Sequence, residues 1–313
     1  MTTAQTILGK LRVQDPVLTE LAQGYDNNEL VGLSLMPIAE IDKEAAKVPK
    51  FGRLAFRLQT TARAIRAGSN VITPEDISSI DVALEEHDIA YPIDYREDAE
   101  AAFPLKQHAT TTTQDVIALG REKEIADLAL NEASYDATNK VVLSGTSKFN
   151  DYTNSDPFAV IEAGKTAVKR SIGHAVNVCV ISGDVWAVLK AHPKVIEKIK
   201  YSQKAVVTPQ LFAELIDVKE VKIGEAVYED NGTLKDIWSG AIVLAYVAEK
   251  APGDAPKHSI YKPSFGYTVR RKGGLFVDTY PAEGNKIEYV RTTDIYRPHL
   301  VGASAGYLIK SAV

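Results

Sequence analysis

The sequence that looks most like chemistry is "GASAG", Gly302 to Gly306. It fits the pattern of a nucleophile elbow around Ser304. Such an elbow needs a strand before the serine, a helix behind it, and acid and histidine partners later in the chain. All six histidines, His87, His108, His174, His192, His258 and His299, precede Ser304. A serine hydrolase is therefore the disfavoured reading. No two histidines stand at a metal-ligand spacing, and they read as surface or helix-end residues. Cys179 is the only cysteine, which excludes an intrachain disulfide, and its setting "NVCVIS" reads as a buried strand with an inert core thiol. No phosphate-cradling loop or dinucleotide fingerprint occurs. Arg270-Arg271-Lys272 beside Gly273-Gly274 reads as the solvated end of a hairpin rather than a nucleic-acid contact, and Asn231-Gly232-Thr233 as a turn. No catalytic, metal or cofactor residue is assigned, and no cofactor is expected.

Composition bounds the remaining choices. The chain has 313 residues with 36 basic and 41 acidic side chains, a net charge of −5. That length allows one large or two ordinary domains. The charge argues against a general affinity for nucleic acid or anionic membranes. No secretory signal is read at the N-terminus, and no apolar run of about 18 residues occurs, so no membrane span is expected.

The elements that would position any site come next. Residues 1 to 49, broken by Pro16, Gly24, Gly32 and Pro37, read as an extended arm with short helical pieces. Residues 51 to 95 read as two long strands, outward through "FGRLAFRLQTTARAIRAG" and back through "ISSIDVALEEHDIAYPIDY". "TTTTQDVIALGREKEIADLALNEASY" predicts a helix capped by Thr113, with Asp115 in its first turn. Ile117, Ile125 and Leu128 form its apolar side, Arg121 to Glu124 stay solvated, and Gly120 admits the close approach of another backbone. Asp156-Pro157 and Gly173 bound a second helix. Alternating helices and strands follow to Val247, and long strands then run from about 264 to 297. The fold class is α+β.

The outgoing arm of the 51–95 excursion carries Arg57, Arg63 and Arg66. Its return arm carries Glu75, Asp76, Asp81, Glu85 and Glu86. A two-stranded hairpin is marginal in water by itself and must lie on something. Segregated charge suggests another copy of the chain, joined head to tail as in rings and lattices. A hairpin folded back on its own domain is the alternative.

Four strings occur in an order that resembles the major capsid proteins of tailed bacteriophages with the Hong Kong 97 type fold. They are "VGLSLMPIAEIDKEAAKVPKFG", "LSGTSKFNDYTNSDPFAVI", "VWAVLKAHPKVIEKIKYSQKAVVTPQLFAELIDVKEVKIGEAVY" and "DIYRPHLVGASAGYLIKSAV". The resemblance implies an N-terminal arm over 1–49 and an extended loop over 50–95. It implies a peripheral domain with a spine helix over 96–147 and 264–297, and an axial domain over 148–263 and 298–313. It further implies hexamers and pentamers of an icosahedral shell around double-stranded DNA held non-specifically, with a scaffolding protein, a portal and a decoration protein as partners. The localisation is the virion, assembled in the bacterial cytoplasm. Because the arm begins almost at Met1, the resemblance implies either a separate scaffolding protein or a scaffold segment absent from this sequence. No lysine lies between Lys50 and Lys106, so the lysine–asparagine cross-link of some relatives is not expected. An encapsulin-like compartment shell is the alternative within the same fold.

Overall fold

The computed structural model describes residues 30–50, 62, 63, 65, 68–70, 78–200, 207–249, 258–282 and 284–313. Along the chain, α1 (Gly32–Leu35) leads into β1 (Ile38–Ile41) and β2 (Ala45–Lys50). The chain returns as β3 (Ser78–Ala83) and β4 (Glu85–Asp94), then α2 (Tyr95–Glu100) and the long α3 (Leu105–Ala129). After β5 (Lys140–Val142) come α4 (Pro157–Ile172), β6 (Val178–Ser182), α5 (Gly183–Ala191), α6 (Pro193–Ile199) and α7 (Pro209–Ile216). The strands β7 (Glu220–Gly224), β8 (Val227–Asp230), β9 (Thr233–Asp236) and β10 (Ala241–Ala245) follow. Last are β11 (Gly266–Arg271), β12 (Phe276–Pro281), β13 (Ile287–Leu300) and β14 (Gly306–Lys310).

One five-stranded sheet runs β5-β14-β10-β6-β7. Its central strands are buried on both faces, and alternation divides their side chains between two cores. Cys179, Ile181, Ile242, Leu244 and Ile309 pack with Val185, Leu189, Phe212 and Ile161 from α4, α5 and α7. Val178, Val180, Val243 and Leu308 face the other way, onto Leu35, Met36, Ile125, Ala129, Trp238 and Phe265. Burial also pushes the Cys179 thiol pKa up, which keeps it protonated and inert. Capping explains α4: Asp156 accepts the Ala159 N–H, Pro157 opens the first turn, and Gly173 closes the helix at φ 72°.

The second sheet is built on β13, a strand of 14 residues. On one edge β4 pairs with it from Glu85 opposite Tyr296 to Asp94 opposite Ile287. On the other edge lie β11, opposite residues 296–300, and β12, opposite residues 288–293, with β1 parallel to β11 beyond. The helix α3 covers one face, where the Thr113 hydroxyl meets the Thr292 hydroxyl at 2.7 Å. At about 1.5 Å per residue its 25 residues extend roughly 37 Å, enough to serve both sheets.

Three expectations change. The long helix begins at Leu105, so Thr113 is not its cap but a buried mid-helix residue. The threonines at 110 to 113 each donate a hydroxyl hydrogen bond to the carbonyl four residues earlier, which satisfies them inside the helix. Arg121 and Glu122 are not solvated, since both point into polar clusters between elements. Arg270–Lys272 is not a hairpin end. Residues 271–275 instead bulge out of a continuous β11–β12 path, with Gly273 at φ 70°, and Arg270 turns inward.

Candidate assembly interface

The residues first suspected of chemistry are held in structural roles. Ser304 lies in the 3-10 turn Ala303–Ala305 between β13 and β14, with a strand behind it where the elbow needs a helix, so no nucleophile elbow forms. Ser155 and His192 are 3.0 Å apart, but the His192 Nδ1 accepts the Lys194 backbone N–H at the start of α6. The ring proton therefore sits on Nε2 and is donated to Ser155, whose own hydroxyl donates to the Asp151 carbonyl at 2.7 Å. A histidine so committed cannot take the serine's proton. Among the described residues no group of histidine, cysteine or carboxylate side chains is arranged to hold a metal, and no helix is long and apolar enough to cross a membrane.

The buried charges fasten elements together. Glu122, 2% exposed, accepts the backbone N–H groups of Val31 and Gly32 at 2.9 Å each and the Trp238 indole N–H at 2.7 Å. The helix α1 has no side-chain cap of its own, so a carboxylate from α3 caps it from outside. Gly32 is required there, because an added Cβ meets a Glu122 carboxylate oxygen at 2.8 Å. The second buried charge, Asp294, is 0% exposed and lies 2.6 Å from Arg270 and 3.3 Å from Arg121. It ties α3 to β11 and β13 beneath the bulge. Burial, together with the neighbouring Arg270, holds the Arg121 pKa below its usual value. Neither cluster was legible as a site, since each joins residues far apart in sequence.

Of the residues expected to touch a neighbour, Arg57, Arg66, Glu75 and Asp76 lie outside the described residues. Arg63 is exposed, near a position where the Asn70 side-chain amide donates to the Ala62 carbonyl. Asp81 on β3 is 3.7 Å from Lys47 on β2, both well exposed. Glu85 is engaged on its own chain by Arg297 at 2.6 Å, and Glu86 is exposed opposite Ile295. Asp81, Glu85 and Glu86 therefore sit on a ribbon and a sheet edge rather than together with Arg63.

The β2–β3 ribbon is rooted on the second sheet. Val48 and Val82, 0% and 2% exposed, pack with Ala39, Tyr267 and Val269, and beyond the ribbon Ile65 is 93% exposed.

Two sheets joined by one long helix, with the β2–β3 ribbon rooted on one of them, define a mixed α+β fold. The solved encapsulin of Synechococcus elongatus shares this fold at a TM-score of 0.51, with 10% identity and 96% of this chain and 95% of that chain covered. A crystal structure of a phage-related protein from Bordetella bronchiseptica RB50 is more similar: 31% identity, TM-score 0.75, 96% and 98% covered. In sequence, the chain is 53% identical to the major capsid protein of Burkholderia phage BcepMu over 96% of this chain and 97% of that protein. The description "Phage major capsid protein E" matches residues 36–261. The chain belongs to that family. It is a major capsid protein of a tailed-phage head, a structural component of the virion that works as an assembly of its own copies, and not an enzyme.

Proposed function

We propose that the chain forms hexamers and pentamers of an icosahedral head that encloses double-stranded DNA. In this reading residues 1–49 are an arm and 50–95 an extended loop lying across a neighbouring subunit. The peripheral domain comprises 96–147 and 264–297, and the axial domain 148–263 and 298–313. Assembly proceeds with a scaffolding protein and a portal, and a decoration protein completes the partners. The carrying observation is the rooted ribbon: its base is packed on its own chain, while Ile65 beyond it is left to solvent. Arg57, Arg63 and Arg66 are the basic surface offered to a neighbour, and Glu75, Asp76, Asp81 and Glu86 the acidic one, with Glu85 held by Arg297 of its own chain.

The experiment is reversal of Arg63 and Arg66 together to glutamate. Each exposed pair contributes only about 0.2 to 1 kcal/mol, but every copy carries the change. The variant subunit should melt like the parent and fail to form particles in sedimentation and electron microscopy. Normal particles at low salt would show that the charge segregation is only a solvated surface.

A further inference from the structure

The strand β12 is an edge without a described neighbour. It pairs with β13 on one side, and no described strand lies along the other. Leu275, Phe276, Val277 and Tyr280 there are 46%, 45%, 41% and 38% exposed. Both faces contribute. Phe276, Asp278 and Tyr280 lie on the face of Arg291 and Tyr289, while Val277 stands opposite the α3-facing Thr292. A small ligand or a helix would cover one of these faces. Only an added strand takes up the open backbone edge and shields side chains on both faces at once.

The usual guards of a sheet edge are weak here. Free edges are normally blunted by lysine, inward charge, proline or a bulge. The bulge at 271–275 and Pro281 mark the two ends of the strand, and between them no described strand covers the outer edge of Phe276 to Tyr280. Its only charged residue, Asp278, is neutralised on its own chain by Arg291 through two hydrogen bonds, at 2.9 and 2.6 Å. The strand thus presents no net charge to an incoming strand.

We propose that β12 pairs antiparallel with β12 of a second copy across a local two-fold axis. This rests on the reading of the chain as a shell subunit, in which every copy presents the same edge to others. An isologous contact needs only one patch, which is what the chain supplies. Antiparallel pairing also sends Lys272 of each copy to opposite ends of the new ribbon, whereas parallel pairing would set like charges side by side.

Single cysteines at Phe276, Val277, Thr279 and Tyr280 test the pairing in assembled particles, because the native Cys179 is fully buried. Oxidation of particles isolated by sedimentation should give disulfide dimers at one or two adjacent positions, those nearest the axis. Hydrogen exchange on the unaltered protein provides a second reading, in which the amides of 276–280 should slow by orders of magnitude between unassembled subunits and particles. Particles that form normally yet show no dimer at any position and no added protection would overturn the pairing while leaving the shell reading intact.

Discussion

The indole N–H of Trp238 donates to Glu122 at 2.7 Å, joining residues 116 apart in sequence. That bond and the two backbone donors of Val31 and Gly32 make one carboxylate the junction of α1, α3 and the segment before β10. Removing it leaves three donors unsatisfied in a dry site. Glu122→Ala should therefore destabilise the subunit by about 3 to 5 kcal/mol, read as a lower midpoint in urea. Glu122→Gln, which keeps one carbonyl oxygen, should lose less.

The same carboxylate sets a pH dependence. Burial raises its pKa against the opposing hydrogen bonds from Trp238, Gly32 and Val31. A carboxyl whose folded pKa lies above its unfolded value of about 4.3 binds its proton more tightly when folded. Its contribution is complete below that unfolded value and is lost as pH rises through the folded pKa. The stability difference between the parent and Glu122→Gln should thus shrink from the acid side toward neutrality and then level off. The lowered carboxylates Asp278 and Glu288 act in the opposite direction, and they cancel because both proteins carry them. Urea titrations of the pair at fixed pH values measure the difference.

Local signals in the sequence reached some of these elements and not others. The cap at Asp156-Pro157, the stop at Gly173 and the apolar run at Val178–Ser182 act within a few residues, so α4 and β6 were legible. The start of α3 was not, because a threonine run reads as a cap unless its hydroxyls are known to bond back along the helix. Glu122 within "REKE" has the spelling of a solvated face, and only Trp238 and the α1 backbone make it a buried anchor. The acidic return arm read as half of a hairpin lying on another copy, yet Glu85–Asp94 is paired along its length with β13 of its own chain, a partner some two hundred residues away. A deletion confined to residues 62–70 should therefore leave β4 and its pairing with β13 intact, which a thermal melt of the subunit checks.

Asp294 gives the next prediction. With both arginines on a carboxylate of 0% exposure, Asp294→Ala leaves Arg121 and Arg270 facing each other in a buried site. The cost should be about 3 to 5 kcal/mol. Adding Arg270→Ala removes one unpaired charge, so the double variant should recover part of that loss. A double-mutant cycle from denaturant midpoints measures the coupling, and strict additivity would show that the two residues do not act as a unit.

Two glycines should respond in opposite directions to the same methyl group. At Gly306 an added Cβ lies 2.3 Å from a ring carbon of Phe265, itself fully buried and stacked near Tyr135. Neither ring has room to withdraw, so Gly306→Ala should cost about 1 to 3 kcal/mol through overpacking. Gly120 sits inside α3 with nothing within 4 Å of the same position, and the close backbone expected there is absent among the described residues. Gly120→Ala should therefore stabilise the isolated subunit by up to about 1 kcal/mol through helix propensity. Melting both variants as subunits tests the pair. Sedimentation of Gly120→Ala then decides where its exposed side faces: a stabilised subunit that assembles normally places that turn of α3 in solvent. A stabilised subunit that no longer assembles means that a neighbouring copy packs its backbone against Gly120 in the shell.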